Sequence, residues 1–311
     1  MRDLFILLIY MVAPFNPFLS GVLFSIYYIV NFKNESEFPY SMKIDWTLFT
    51  TWLLIAVLVI LSITGPKLPY RKELLLMMIL FLGSYKAGRV FFDRGGDHYE
   101  LVRTLRDVFI VISPLIIAKS IALTLEWRYP FLKILRNIPA FNLLIFEAIF
   151  LPIVILPCGN KNKRLVSYIL SLLALISFVV VQGRGLILTL FIIALWASLI
   201  TSGRGTLGFA ILTILAALKH MLQKQTLSVE FFGESAPFFV AALVIAMSFA
   251  ISHSRSKNPL SNAVKATLTT LLFTLATITS LDCSVWKGNH WFLLPIAFAM
   301  SIAKELEESI E

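Results

Sequence analysis

Charge is what this chain has least of. Only 14% of its 311 residues are Asp, Glu, Lys or Arg, while 58% are hydrophobic and 13% aromatic. Soluble chains carry about 25% charged residues, so too few are present here to coat a water-facing surface of this size. Cysteine is nearly missing as well. Cys158 and Cys283 are too few for a disulfide framework, and no Cys/His spacing suggests a metal site, so no metal ligand and no cofactor are expected. Internal repeats and low-complexity tracts are absent, and no connection between apolar runs is long enough to fold alone. The net charge of +9 is spread singly over short loops rather than gathered on one face. That excludes a nucleic-acid partner and makes the basic residues topology signals and headgroup anchors.

What the chain does have is long apolar runs. A membrane-crossing helix needs ~20 mainly apolar residues. Such runs occupy residues 4–32, 47–64, 74–91, 108–125, 141–158, 165–182, 186–201, 206–221, 237–252, 266–281 and 291–303. The first is unusually long and contains Pro14 and Pro17, so it is either one kinked helix or two short helices turning at Pro14-Phe15-Asn16-Pro17. A signal peptide is the other reading of this start, but Ala13-Pro14-Phe15 is a poor cleavage site. The expected fold is all-α, a polytopic transmembrane helix bundle of about 11–12 spans. Residues 1–311 form a single integral membrane domain in this reading. Residues 126–140 interleave Trp127, Tyr129, Phe131, Leu132, Ile134 and Leu135 with Arg128, Lys133 and Arg136, the pattern of an interfacial amphipathic segment.

The distribution of Lys and Arg sets a direction. With Lys161-Asn162-Lys163-Arg164 inside, Arg94, Arg103, Arg106, Arg204, Arg255, Lys257, Lys265 and Lys304 also fall inside, and the inside holds the excess. An N-terminus on that same side requires the first run to be a hairpin. Cys158 then lies inside and Cys283 outside.

Polar groups at membrane depth are costly to bury and are functional candidates by default. Arg184 sits in Gln182-Gly183-Arg184-Gly185 between two spans, His220 closes another and opens a polar stretch with Glu230 and Glu234, and Asp282 follows a third. All three fall on the outer face. A guanidinium holds phosphate oxygens bidentately, and flanking glycines let a ligand approach the backbone. A neutral imidazole takes a proton from an attacking hydroxyl near neutral pH, with the acid orienting the His or the Arg. Polar residues also collect at helix ends for purely interfacial reasons.

Val181-Gln182-Gly183-Arg184-Gly185-Leu186-Ile187-Leu188 resembles the Arg-containing junction of the bacterial O-antigen ligase/polymerase family, where a Ser-Arg-Gly motif precedes an apolar helix. His220-Met221-Leu222 through Glu230-Phe231-Phe232-Gly233 looks like that family's His-Asn…Leu…Glu-x-Gly segment, and Thr279-Ser280-Leu281-Asp282 with a short loop and final span fits its end. The resemblance covers residues 165–303. It implies an inner-membrane glycosyltransferase of lipopolysaccharide or surface-polysaccharide biosynthesis, working on the periplasmic face. The implied donor is an undecaprenyl-pyrophosphate-linked glycan, and the acceptor is lipid A core or another glycan. Carried onto this chain, Arg184 contacts the donor pyrophosphate, His220 acts at the acceptor hydroxyl, Asp282 supports the site, and Glu230 belongs to the substrate-binding segment. The chain differs from the family in two places. Only residues 206–219 stand where the family has a large periplasmic loop with a second Arg, and Met221 replaces the Asn. A transporter or flippase of a lipid-linked sugar or small solute is the alternative from another class, and a non-catalytic assembly partner is a third.

Lesser candidates remain. Lys86 and Arg89 share a helical face and read as cations snorkelling to phosphates. Glu147 and Lys119 each lie inside a span, so a pair between them is one option. His98, His253 and His290 fall in loops and read as solvated surface histidines, and the acidic residues from Glu305 to Glu311 read as a solvated tail.

Overall fold

A computed structural model describes residues 2–34, 44–64, 70–126, 128–182, 236–253, 256–281 and 288–309, and these form helices, with no strand among them. Two short helices come first, α1 (Arg2–Val12) and α2 (Pro17–Asn31), then α3 (Trp46–Thr64), α4 (Arg71–Asp93) and α5 (His98–Leu125). A 3-10 segment, Pro130–Asn137, leads into α6 (Ala140–Val154) and α7 (Lys161–Gln182). Beyond residue 235 lie α8 (Ala236–Ser252), α9 (Pro259–Leu281), a 3-10 turn at Asn289–Phe292 and α10 (Leu293–Glu308). Among the described residues four helices are long and apolar enough to cross a membrane, or five if the pair Pro130–Asn137 and Ala140–Val154, bent by 48°, is one span. The chain is a helical membrane protein. The spans expected at 186–201 and 206–221 lie outside the described residues.

The first run is the hairpin. Pro14 interrupts it, Asn16 Oδ1 accepts from Leu19 N at 3.1 Å, and Pro17 opens α2 with the fixed φ a first helical turn requires. The two helices lie antiparallel. Phe5 stacks on Tyr27 at 5.8 Å, while Tyr10 meets Phe24 at 5.5 Å. Short carboxylate and amide caps start other helices. Asp45 accepts from Thr47 N and Leu48 N ahead of α3, Asp97 from Tyr99 N ahead of α5, and Asn258 from Leu260 N ahead of α9.

Several helices outrun their apolar cores. α5 begins well before residue 108, α9 before 266, and α10 continues past 303 through Lys304-Glu305-Leu306-Glu307-Glu308. The acidic end is therefore not a solvated tail. Glu305 pairs with Arg89 at 3.6 Å, Glu307 with His253 at 3.0 Å, and Lys304 bridges Glu308 and Asp45. The segment Pro130–Asn137 buries none of its residues, and Phe131 and Ile134 stand exposed beside Lys133, as an interfacial segment requires.

α10 is the centre of the bundle. Every residue from Leu293 to Ala303 is buried, against α4, α2 and α9. The close approach to α4 depends on glycine. A Cβ on Gly88 would stand 2.6 Å from the Phe298 carbonyl oxygen and 2.7 Å from Ser301 Cβ. Small residues at such a crossing let two backbones approach and gain dispersion contacts without any hydrophobic drive from water.

The chain ends sort onto two faces. One face gathers the C-terminal ends of α2, α4, α6, α8 and α10 with the N-terminal ends of α3, α5, α7 and α9. Arg94 reaches Asn31, Lys163 reaches Asp107 at 2.7 Å, and Lys304 reaches Asp45 at 2.5 Å there. The far face holds the α1–α2 turn, where Phe18 meets Trp291 at 5.0 Å, and the segment Pro130–Asn137.

Candidate functional site

A cavity of about 690 Å³ opens at the first of these faces. Four separate stretches build it: the start of α5 with Tyr99 and Val102, the α6–α7 turn at Leu156-Pro157-Cys158, the α8–α9 connection with Ser252, His253 and residues 256–260, and the last turn of α10 with Leu306 and Glu307. Its walls are largely apolar, with His253, Glu307 and Lys257 as the ionisable groups facing it beside Asn258, Tyr99, Ser252 and Ser256. A concave, apolar site with few polar groups is the usual form of a small-ligand pocket.

The α6–α7 wall is held by Arg106. Its side chain is buried, and its Nε donates to the Val154 carbonyl at 2.7 Å. The two terminal nitrogens donate to the carbonyls of Leu156 and Cys158. One guanidinium thus serves the last carbonyl of α6 and two carbonyls of the turn that follows it, at a helix C-terminus where a cation is also favoured by the dipole. Gly159 next to it has φ +67°, a left-handed conformation that lets the chain turn sharply into α7. Burial pushes the Cys158 thiol above its usual value, with Arg106 opposing, so this cysteine is a poor nucleophile.

His253 is not a surface histidine. It is 4% exposed, its ring stacks on Phe249 at 4.1 Å, and its Nδ1–H donates to the Phe249 carbonyl at 2.8 Å. That fixes the tautomer and turns Nε2 towards Glu307 Oε2, 3.0 Å away. Neither atom has a proton of its own to give in the neutral imidazole–carboxylate state, so the contact is a hydrogen bond only when the pair holds a shared proton. Burial lowers the imidazole below its usual value, and the Glu307 carboxylate pulls it back up. Lys265 closes the arrangement by donating to the His253 carbonyl. The result is an imidazole–carboxylate pair on the wall of the cavity, joined by a hydrogen bond when the imidazole takes up a proton. His290 is likewise buried rather than solvated, packed against Phe238 at 4.1 Å.

Other sequence expectations resolve differently. Lys119 does not pair with Glu147. Its ammonium donates to the carbonyls of Arg136 and Ile138, tying α5 to the end of the interfacial segment. Arg89 is held by Glu305 rather than free to snorkel. Glu147 is fully buried and accepts or shares a hydrogen bond with Ser113 at 2.6 Å. Among the described residues no group of three His, Cys, Asp or Glu could hold a metal ion.

Arg184, His220, Glu230 and Asp282 all lie outside the described residues. Their described neighbours do have a definite place. Gln182 ends α7, Leu281 ends α9 and Ala236 begins α8, while the opposite ends of these helices flank or lie beside the cavity. All three therefore stand at the far face. No protein-family model matches the chain, and neither curated proteins nor solved structures contain a match.

Proposed function

We propose that the protein is a membrane glycosyltransferase of the O-antigen ligase type, resident in a bacterial inner membrane and acting at its periplasmic face. The observation that carries this reading is the order of Arg184, His220 and Asp282 along the chain, two of them adjoining described helix ends that share the far face. In the reaction, the acceptor sugar hydroxyl attacks the anomeric carbon of the donor glycan. The bond from that carbon to the undecaprenyl pyrophosphate oxygen breaks, the carrier leaves as its pyrophosphate, and the hydroxyl proton passes to His220. Arg184 binds the pyrophosphate charge, Asp282 orients the Arg or the His, and Glu230 contacts sugar hydroxyls. Lipid A core is the acceptor in the ligase form and a further glycan repeat in the polymerase form.

The experiment is alanine substitution of Arg184, His220 and Asp282, each confirmed to insert, followed by gel profiling of surface polysaccharide. Loss of the polymer-bearing species in all three supports the reading, and an unchanged profile in all three overturns it. The cavity at the opposite face favours a second reading, a transporter or flippase of a lipid-linked sugar or small solute. That reading expects His253→Ala and Lys257→Ala to abolish the phenotype while the three far-face variants leave it intact.

A further inference from the structure

Glu147 occupies the middle of α6, with Ser113 of α5 and Ser171 of α7 on the neighbouring helices, and all three are fully buried. Ser113 Oγ lies 2.7 Å from the Phe109 carbonyl oxygen and 2.6 Å from Glu147 Oε1. A hydroxyl has one proton, and a carbonyl only accepts. When Ser113 donates to the carbonyl, the shorter contact is a hydrogen bond only if the carboxyl is the donor.

The surroundings agree with a carboxyl that holds its proton. Charged groups on the packed helices are committed elsewhere or lie at their ends. On α5, Arg106 is engaged with the end of α6 and Lys119 with residues 136 and 138, while Glu100, Arg103 and Asp107 stand near its start. On α7 the charges are Lys161, Lys163 and Arg164 in the first turn, and on α9 Lys265, which donates to the His253 carbonyl. Tyr10 of α1, near α6 through Phe150, gives its hydroxyl to the Pro295 carbonyl. An ionised carboxylate here would have no cation among the described residues to offset its desolvation. Glu147 Oε2 and Ser171 Oγ are both buried without a hydrogen-bond partner among the described residues, which leaves a second polar position beside the carboxyl.

We propose that Glu147 is a proton-binding site at membrane depth, with the bound proton holding α5, α6 and α7 together. Two carboxyl oxygens and two hydroxyls are too few to replace the oxygen shell of a metal cation, so the ligand is the proton. Losing it places a lone negative charge among three apolar helices and loosens their packing.

The test uses the full chain in nanodiscs, wild type against Glu147→Gln, which keeps the shape and removes the titration. Infrared spectroscopy should show a protonated-carboxyl C=O stretch at neutral pH that is absent in the variant. Thermal unfolding should show wild type losing stability as the medium turns alkaline, while the variant keeps its midpoint over the same range and matches wild type at neutral pH. Absence of the band, parallel alkaline loss in both proteins, or loss of the band on adding sodium at constant pH and ionic strength would each overturn the proposal.

Discussion

α3 and α10 are both apolar helices, and they live in opposite surroundings. Only 17% of the most apolar stretch of α3 is buried, with Trp52, Val57, Ile60 and Ile63 turned outward, whereas α10 is buried on all sides from Leu293 to Ala303. Apolarity does not account for the difference, since α3 is the more apolar of the two and the less buried. A large aliphatic side chain is as content in lipid tails as in a protein core, so hydropathy admits a helix to the membrane without ranking it within the bundle. What marks the inner helix is the fit of small and aromatic residues: Gly88 and Ser301 at the α4–α10 crossing, and Phe298 among Phe24, Phe91 and Tyr10.

The sharpest way to break this contrast is Phe298→Ala. Phe298 is fully buried and stacks on Phe24 at 4.5 Å, so its removal leaves a cavity that should cost about 3–5 kcal/mol of stability, read as a fall in the thermal midpoint in nanodiscs. Gly88→Val attacks the same crossing from the other side. The added Cβ meets backbone, and overpacking should cost about 1–3 kcal/mol by the same assay.

A pH titration sharpens the contrast at the cavity end of α10. The folded chain holds His253 below its usual value, chiefly through burial, so the unfolded chain binds that proton more readily. Stability from this group is therefore present above the free imidazole value near pH 6.5 and is lost as pH falls towards the folded value. His253→Gln should flatten that acid limb, which cannot be steeper than about 1.4 kcal/mol per pH unit for one proton. The smallest effect belongs to α3. Ile60→Ala, on its outward side, should shift stability by less than about 0.5 kcal/mol. A loss at Ile60 matching that at Phe298 would erase the distinction between the two helices.

Helix positions were legible in the sequence because run length against bilayer thickness is a coarse, strong signal. Helix ends were not. α5 reaches back to His98 through Arg103 and Arg106, charges that lower local hydropathy, yet Arg106 is satisfied by carbonyls and Asp97 caps the helix start. The hairpin at the start was one of two open readings until Asn16 and the antiparallel aromatic contacts decided it. The cavity was hidden for a different reason. His253 and Glu307 lie far apart in sequence, and each separately looks like a polar residue at a span end. The usable signal was at the end of α10, where Lys304 and Glu308 stand one helical turn apart and mark the helix as continuing. The outer-face trio came from polar residues at span ends together with the motif resemblance, and its residues lie outside the described helices.

The central position of α10 also orders events at the ribosome. Every described helix it packs against is synthesised before it, so α2, α4 and α9 lack the partner that meets Gly88 and Phe91 until it emerges. The cavity wall that Leu306 and Glu307 supply is likewise complete only once α10 has docked.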